Sequence, residues 1–160
     1  RRAIIMIYSL DLLKLMGIKV AQDLIEANHI NQEQKLWRHV ILNAFEDARL
    51  KTTDRKSSIN KLEAHDWINE SKDFNQICWW AGWDPDEVRI RYRKALKSME
   101  ITFNIKHIKW REYYTMYNEL KFEADKDKRR ALRKLVEQKR KDVFNCKSVV
   151  MTTFFITVKA

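Results

Sequence analysis

The sequence predicts a mostly α protein, and three observations carry that prediction. Across 160 residues there are two glycines and one proline, so little interrupts a helix. Apolar residues recur at intervals of three and four through most of the chain. Six Trp, five Tyr and seven Phe, within a hydrophobic content of 45%, are enough to fill a core. The expected order is an amphipathic N-terminal helix in 1–30 and a compact helical domain in 31–100. A charged helical extension in 101–146 and a β-prone tail in 147–160 follow.

Residues 3–27 read as one amphipathic helix with Leu12, Leu13, Met16, Val20 and Leu24 on one face. Asp11, Lys14 and Lys19 break the apolar run, so the stretch neither spans a bilayer nor makes a signal peptide. Lying on a membrane surface is the weaker alternative, because its polar face is not strongly basic. Asn31 with Gln34 opens the next helix, 32–51, with Trp37, Val40, Ile41, Ala44, Phe45 and Ala48 as its stripe. KTTDRKSS, 51–58, reads as a polar, mobile, basic loop, simply solvated as the leading reading, with Lys51, Arg55 and Lys56 as accessory phosphate contacts in the alternative. Helix 59–69 follows, with Leu62, Trp67 and Ile68 apolar.

The centre of the chain is Asp73–Met99, two helices around a tight turn. Asp73 with Gln76 and Asp84 with Glu87 read as capping boxes on either side of Gly82, and Pro85 sits at a first helical position. Gly82 falls where a left-handed backbone is needed. Phe74, Ile77, Cys78 and Ala81 share a face of the first helix. Val88, Tyr92, Ala95, Leu96 and Met99 recur along the second. The face left outside holds Arg89, Ile90, Arg91, Arg93, Lys94 and Lys97. A short helix with an apolar inner face and arginines outside suits the DNA major groove, where guanidinium groups pair with phosphates or guanine edges.

Beyond Met99, EITFNIKHI is ambiguous between a strand and a helix start. Trp110, Tyr113, Tyr114, Tyr117 and Leu120 mark one long helix, and Ala131, Leu132, Leu135 and Val136 mark another. EADKDK between them is either a turn or a continuation. From 126 to 141 nine basic residues meet two acidic ones. Arg129, Arg130, Arg133 and Lys134 either track a phosphate backbone or are simply solvated. The tail KSVVMTTFFITVKA predicts a strand over 148–158, which needs a partner: ITFNI, the N-terminal AIIMIY, or the same strand of a second subunit.

A formal net charge of +10 and a pI near 9.6 favour polyanionic partners, nucleic acid first. Cys78 and Cys146 lie far apart without metal-ligand spacing, which fits a reducing cytoplasm. His29, His39, His65 and His107 are scattered, and no glycine-rich phosphate loop or nucleophile setting is present. The expectation is therefore a protein with no metal, no cofactor, no catalysis and no membrane association.

The run DFNQICWWAGWDPDEVRIRYRKALKSM resembles the helix-turn-helix of sigma factor region four and of small phage and prophage regulators. Cys78, Gly82, Val88, Tyr92 and Ala95 match the small, turn and hydrophobic positions of that family. Trp79, Trp80 and Trp83 are bulkier than usual around the turn, and Cys78 stands for the common alanine. The resemblance implies that the second helix, 84–98, reads double-stranded DNA, with a transcription regulator that meets RNA polymerase as the leading reading. A DNA-packaging subunit like the small terminase, working with packaging machinery as a homo-oligomer, is the second. The third is a protein–protein adaptor that docks through Trp79, Trp80 and Trp83.

Overall fold

The computed structural model describes residues 10–17 and 31–151. The described chain is mostly α, with seven helices and one two-stranded sheet. The helices are α1 (Leu10–Met16), α2 (Gln32–Arg49), α3 (Arg55–Glu70), α4 (Lys72–Trp80), α5 (Pro85–Lys97), α6 (Ile105–Phe122) and α7 (Lys126–Asn145). The strands are β1 (Phe103–Asn104) and β2 (Val150–Met151). They divide into two compact units. One takes residues up to Arg49 with Ala64–Ile101, and the other takes Leu50–Glu63 with Thr102 onward. The division falls within α3, whose first half belongs to the second unit.

In the first unit α2 packs against α4, and α1 against α2 and α5. Leu12, Met16, Ile41, Leu42, Phe45, Ile68, Phe74, Cys78 and Tyr92 have no exposure to solvent. The Tyr92 ring meets Phe45 edge to face at 5.6 Å, and its hydroxyl lies 2.6 Å from His65 Nδ1, so the one polar atom that α5 buries is paired. The continuous helix expected over 3–27 does not form. α1 stops at Gly17, whose φ of +93° ends a helix, and the rest of that span lies outside the described residues.

The second unit is built on the α6–α7 pair. Val136 and Val143 are buried, Trp110 meets Phe144 edge to face at 5.8 Å, and Lys139 Nζ lies 2.8 Å from Glu112 Oε2. Burial works against ionisation of Glu112, but the ammonium groups of Lys139 and Lys109 outweigh it and hold the carboxyl below its usual range. EADKDK is a break: α6 ends at Phe122 and Asp125 caps α7, accepting from the N–H groups of Asp127 and Lys128. ITFNI divides into both of its readings, since Phe103–Asn104 is strand and a capping box at Asn104 opens α6 in the next residue. His107 Nδ1 accepts from the Asn104 N–H at 2.9 Å, so its Nε2 carries the proton and donates to Thr52 O at 3.0 Å. Burial depresses the pKa of this ring.

Among the described residues the tail pairs with ITFNI. Val150–Met151 pairs antiparallel with it, Phe103 opposite Met151 and Asn104 opposite Val150. Residues 152–158 of the expected strand lie outside the described residues. The loop expected over 51–58 is also corrected. Asp54 accepts from the Ser57 N–H at 3.0 Å, and the Ser58 hydroxyl donates to Asp54 O, so α3 begins at Arg55.

Candidate nucleic-acid interface

Ser71 rather than Asp73 caps α4, its hydroxyl accepting from the Asp73 N–H at 3.1 Å. The helix therefore starts at Lys72, and Asp73 lies in its first turn, where a carboxylate favours the helix dipole. At the other end the Gly82 N–H donates to Trp79 O and the Trp83 N–H to Cys78 O, with Gly82 at φ +75°. These two bonds make the glycine-terminated helix stop known as the Schellman motif. A side chain at Gly82 would also run into the Gln34 amide. Asp84 then accepts from the Asp86 N–H at 2.9 Å, and Pro85 opens α5.

The two helices of the pair are thus fixed by local chemistry at both ends, and the α2 side chains hold the turn from outside. Arg38 Nε donates to Ala81 O at 2.8 Å, and its guanidinium lies over the Trp83 ring, 5.2 Å from the centroid. Val88, Tyr92, Ala95 and Leu96 face inward as expected, but Met99 does not. It lies past the helix end at φ +62° and is 46% exposed.

The outer face of α5 is narrower than the sequence implies. Arg89 is turned inward: Nε donates to Ile68 O at 2.9 Å, the guanidinium lies 4.8 Å from the Phe74 ring centroid, and the side chain is only 14% exposed. Arg91 is half-buried, and a Cβ on Gly17 would collide with its guanidinium, so it lies against the end of α1. Both were expected on the free face, and their guanidinium groups turn instead to partners within the unit, Ile68 O and the Phe74 ring for Arg89 and the end of α1 for Arg91. Ile90, Arg93, Lys94 and Lys97 are exposed. Ahead of them the first turn exposes Asp86 and Glu87, which the charge count of the helix conceals. The face runs from acidic through Ile90 to basic.

The accessory cations fall in the second unit. Lys51, Arg55 and Lys56 are exposed, and the Arg55 guanidinium lies 5.5 Å and 5.7 Å from the Tyr113 and Tyr117 rings. Arg129, Arg130, Arg133 and Lys134 are exposed on α7. Trp79 and Trp80 are 60% and 49% exposed, while Trp83 is buried with its indole N–H lacking a hydrogen-bond partner among the described residues. Trp80 lies 4.8 Å from Trp37.

Cys78 has no exposure, and burial pushes its thiol up to about 12, so it stays protonated. Among the described residues no group of three or more His, Cys, Asp or Glu stands where it could hold a metal ion, and no helix is long and apolar enough to cross a membrane. No family model, no curated protein and no solved structure matches this chain.

Proposed function

We propose that this is a DNA-binding protein in which α5 enters the major groove, with transcription regulation of the phage type as its role. The observation that carries the reading is the α4–turn–α5 pair itself. A glycine-terminated helix and a proline-started one, buried on Phe74, Cys78, Val88 and Tyr92, leave Ile90, Arg93, Lys94 and Lys97 outside. Arg93, Lys94 and Lys97 supply phosphate and base-edge contacts, and Ile90 suits a thymine methyl. Asp86 and Glu87 repel phosphate and accept hydrogen bonds, so they orient the first turn toward base edges. Arg89 and Arg91 support the helix rather than read DNA. The formal charge of +10 supplies general affinity for a polyanion.

The test is binding of labelled random duplex DNA across a salt series, with Arg93→Ala/Lys97→Ala beside the unchanged chain. Salt-dependent binding that the double substitution weakens by about tenfold or more supports the reading. No binding at low salt, or binding indifferent to both substitutions, overturns it. A second reading, docking to another protein, has its own observation in the exposed Trp79 and Trp80, because large aromatics dominate protein interfaces. It predicts that Trp79→Ser abolishes partner capture and leaves DNA affinity unchanged.

A further inference from the structure

One stripe of α6 sets aromatic rings between lysines. Lys106, Trp110, Tyr113, Tyr117 and Lys121 follow one another at intervals of three and four, so they share a face of the helix, and none of them is acidic. The rings touch in a row. Tyr113 and Tyr117 stack at 6.1 Å with 22° between their planes, Trp110 meets Tyr113 edge to face at 5.7 Å, and Phe144 of α7 continues the row from Trp110. Tyr117 is 40% exposed and Phe144 64%, so the row opens to solvent at both ends.

A basic segment is tied beside this row. His107 Nε2 and Trp110 Nε1 donate to Thr52 O and Thr53 O, which holds residues 51–56 against α6. Lys51, Arg55 and Lys56 are exposed there, and the Arg55 guanidinium lies over both tyrosine rings, 5.5 Å and 5.7 Å from their centroids. The neighbouring acids are engaged within the fold: Asp54 accepts from the Ser57 N–H at the start of α3, and Glu112 pairs with Lys109 and Lys139. The surface is therefore cationic, with planar groups set among the charges.

The cations suit the phosphates of any nucleic acid, but the rings discriminate. Bases inside a duplex are stacked on one another and offer no free face, whereas an unpaired base lays its face on an aromatic ring or a guanidinium plane. Open rings among cations thus favour a single strand over a duplex. We infer that the cluster of Arg55, Tyr113 and Tyr117 is a binding site for single-stranded nucleic acid. Tyr117 and Phe144 offer stacking surfaces to unpaired bases, Arg55 serves both base and backbone, and Lys51 and Lys56 meet phosphates. All of these residues belong to the second unit, so the site goes beyond the duplex reading of α5 and does not depend on it.

Fluorescence anisotropy on the full chain tests this, with labelled oligothymidylate and oligouridylate of about 20 nucleotides and a hairpin duplex as probes, and CD to check helicity. Both single strands supply the same chemistry, and the tighter binder names DNA or RNA. On that strand Tyr117→Leu, which keeps apolar bulk and loses the plane, is expected to weaken binding by about tenfold. Its salt slope should not change, because no charge is lost, and Tyr117→Phe should stay within roughly twofold of the unchanged chain. The duplex should be indifferent to Tyr117→Leu. Arg93→Ala/Lys97→Ala should leave single-strand binding within roughly twofold, so failure of this inference and failure of the α5 reading are separable. No single-strand binding at low salt overturns the inference. So does binding that Tyr117→Leu leaves intact or weakens equally for the duplex, which would make the surface a general phosphate contact. An equal loss in Tyr117→Phe would exclude stacking, and a tenfold loss in the α5 double variant would place the single strand on α5; either result overturns the inference.

Discussion

Arg89 shows how a basic residue on a helix surface can belong to the core's support. Its guanidinium has an acceptor in Ile68 O, an aromatic face in Phe74 and a carboxylate, Asp86, at 3.7 Å. A charge-assisted bond to a carbonyl and a cation–π contact each contribute about 1 kcal/mol or more when partly buried. Arg89→Ala is therefore expected to lower stability by about 1–2 kcal/mol, read as a shift in urea midpoint. An unchanged midpoint together with weakened DNA affinity would return Arg89 to the reading face. Lys61 is the opposite case, a fully buried ammonium. Its Nζ donates to Leu50 O at 2.8 Å and lies 4.6 Å from the Phe103 ring centroid. Burial, aided by the Lys51 charge, pulls its pKa down to about 8. Between that value and the ordinary lysine range the unfolded chain holds a proton that the folded chain has released, so this group adds stability as pH rises. Lys61→Met removes the effect. The unchanged chain should gain on the variant by on the order of 3 kcal/mol between pH 7 and pH 10.5. Urea unfolding of both at each pH measures it, because other titrations cancel in the difference.

At the scale of elements, the ends of helices decide what was legible. Gly82 and Pro85 are so constrained in backbone that the α4–α5 turn could be placed from sequence, and both stand where they were expected. Ser71 was missed because Asp73 with Gln76 has the better capping-box spacing, although the hydroxyl two residues earlier reaches the chain first. The first turn of α3 was missed because KTTDRKSS lacks apolar periodicity. Asp54 and Ser58 organise it by hydrogen bonds that no hydrophobic pattern records. The narrowing of the α5 face was hidden for a related reason, since spacing gives the direction of a side chain and not the partners its guanidinium reaches. α5 ends as α4 does, the Met99 N–H donating to Leu96 O and the Glu100 N–H to Ala95 O, but with methionine in the left-handed position. That conformation costs a residue with a Cβ about 1–2 kcal/mol, and exposed Met99 recovers little of it by burial. Met99→Gly should raise thermal stability by about 1 kcal/mol, less the entropy glycine adds to the unfolded chain. A loss instead would mean that the methionine side chain makes packing interactions that outweigh the strain.

For the whole molecule, much of the +10 charge comes from two helices that present their cations differently. On α5, Arg93, Lys94 and Lys97 lie on a helix set at both ends by caps, so their positions are fixed relative to one another. On α7, Arg129, Arg130, Arg133 and Lys134 are exposed around the helix and point over a wide arc. A fixed set can discriminate between base sequences, whereas a dispersed set responds only to phosphate density. If the molecule binds DNA as proposed, neutralising Arg129, Arg130 and Arg133 to Gln should weaken every duplex alike. The slope of log affinity against log salt should then become shallower by roughly one for each phosphate no longer neutralised, up to about three. Arg93→Ala should instead cost about 1–3 kcal/mol on a selected site and much less on random DNA. Titrations of selected and random duplexes at four salt concentrations separate the two. The same slope for both variants, with equal losses on both duplexes, would make α5 a phosphate contact only and remove base reading from it.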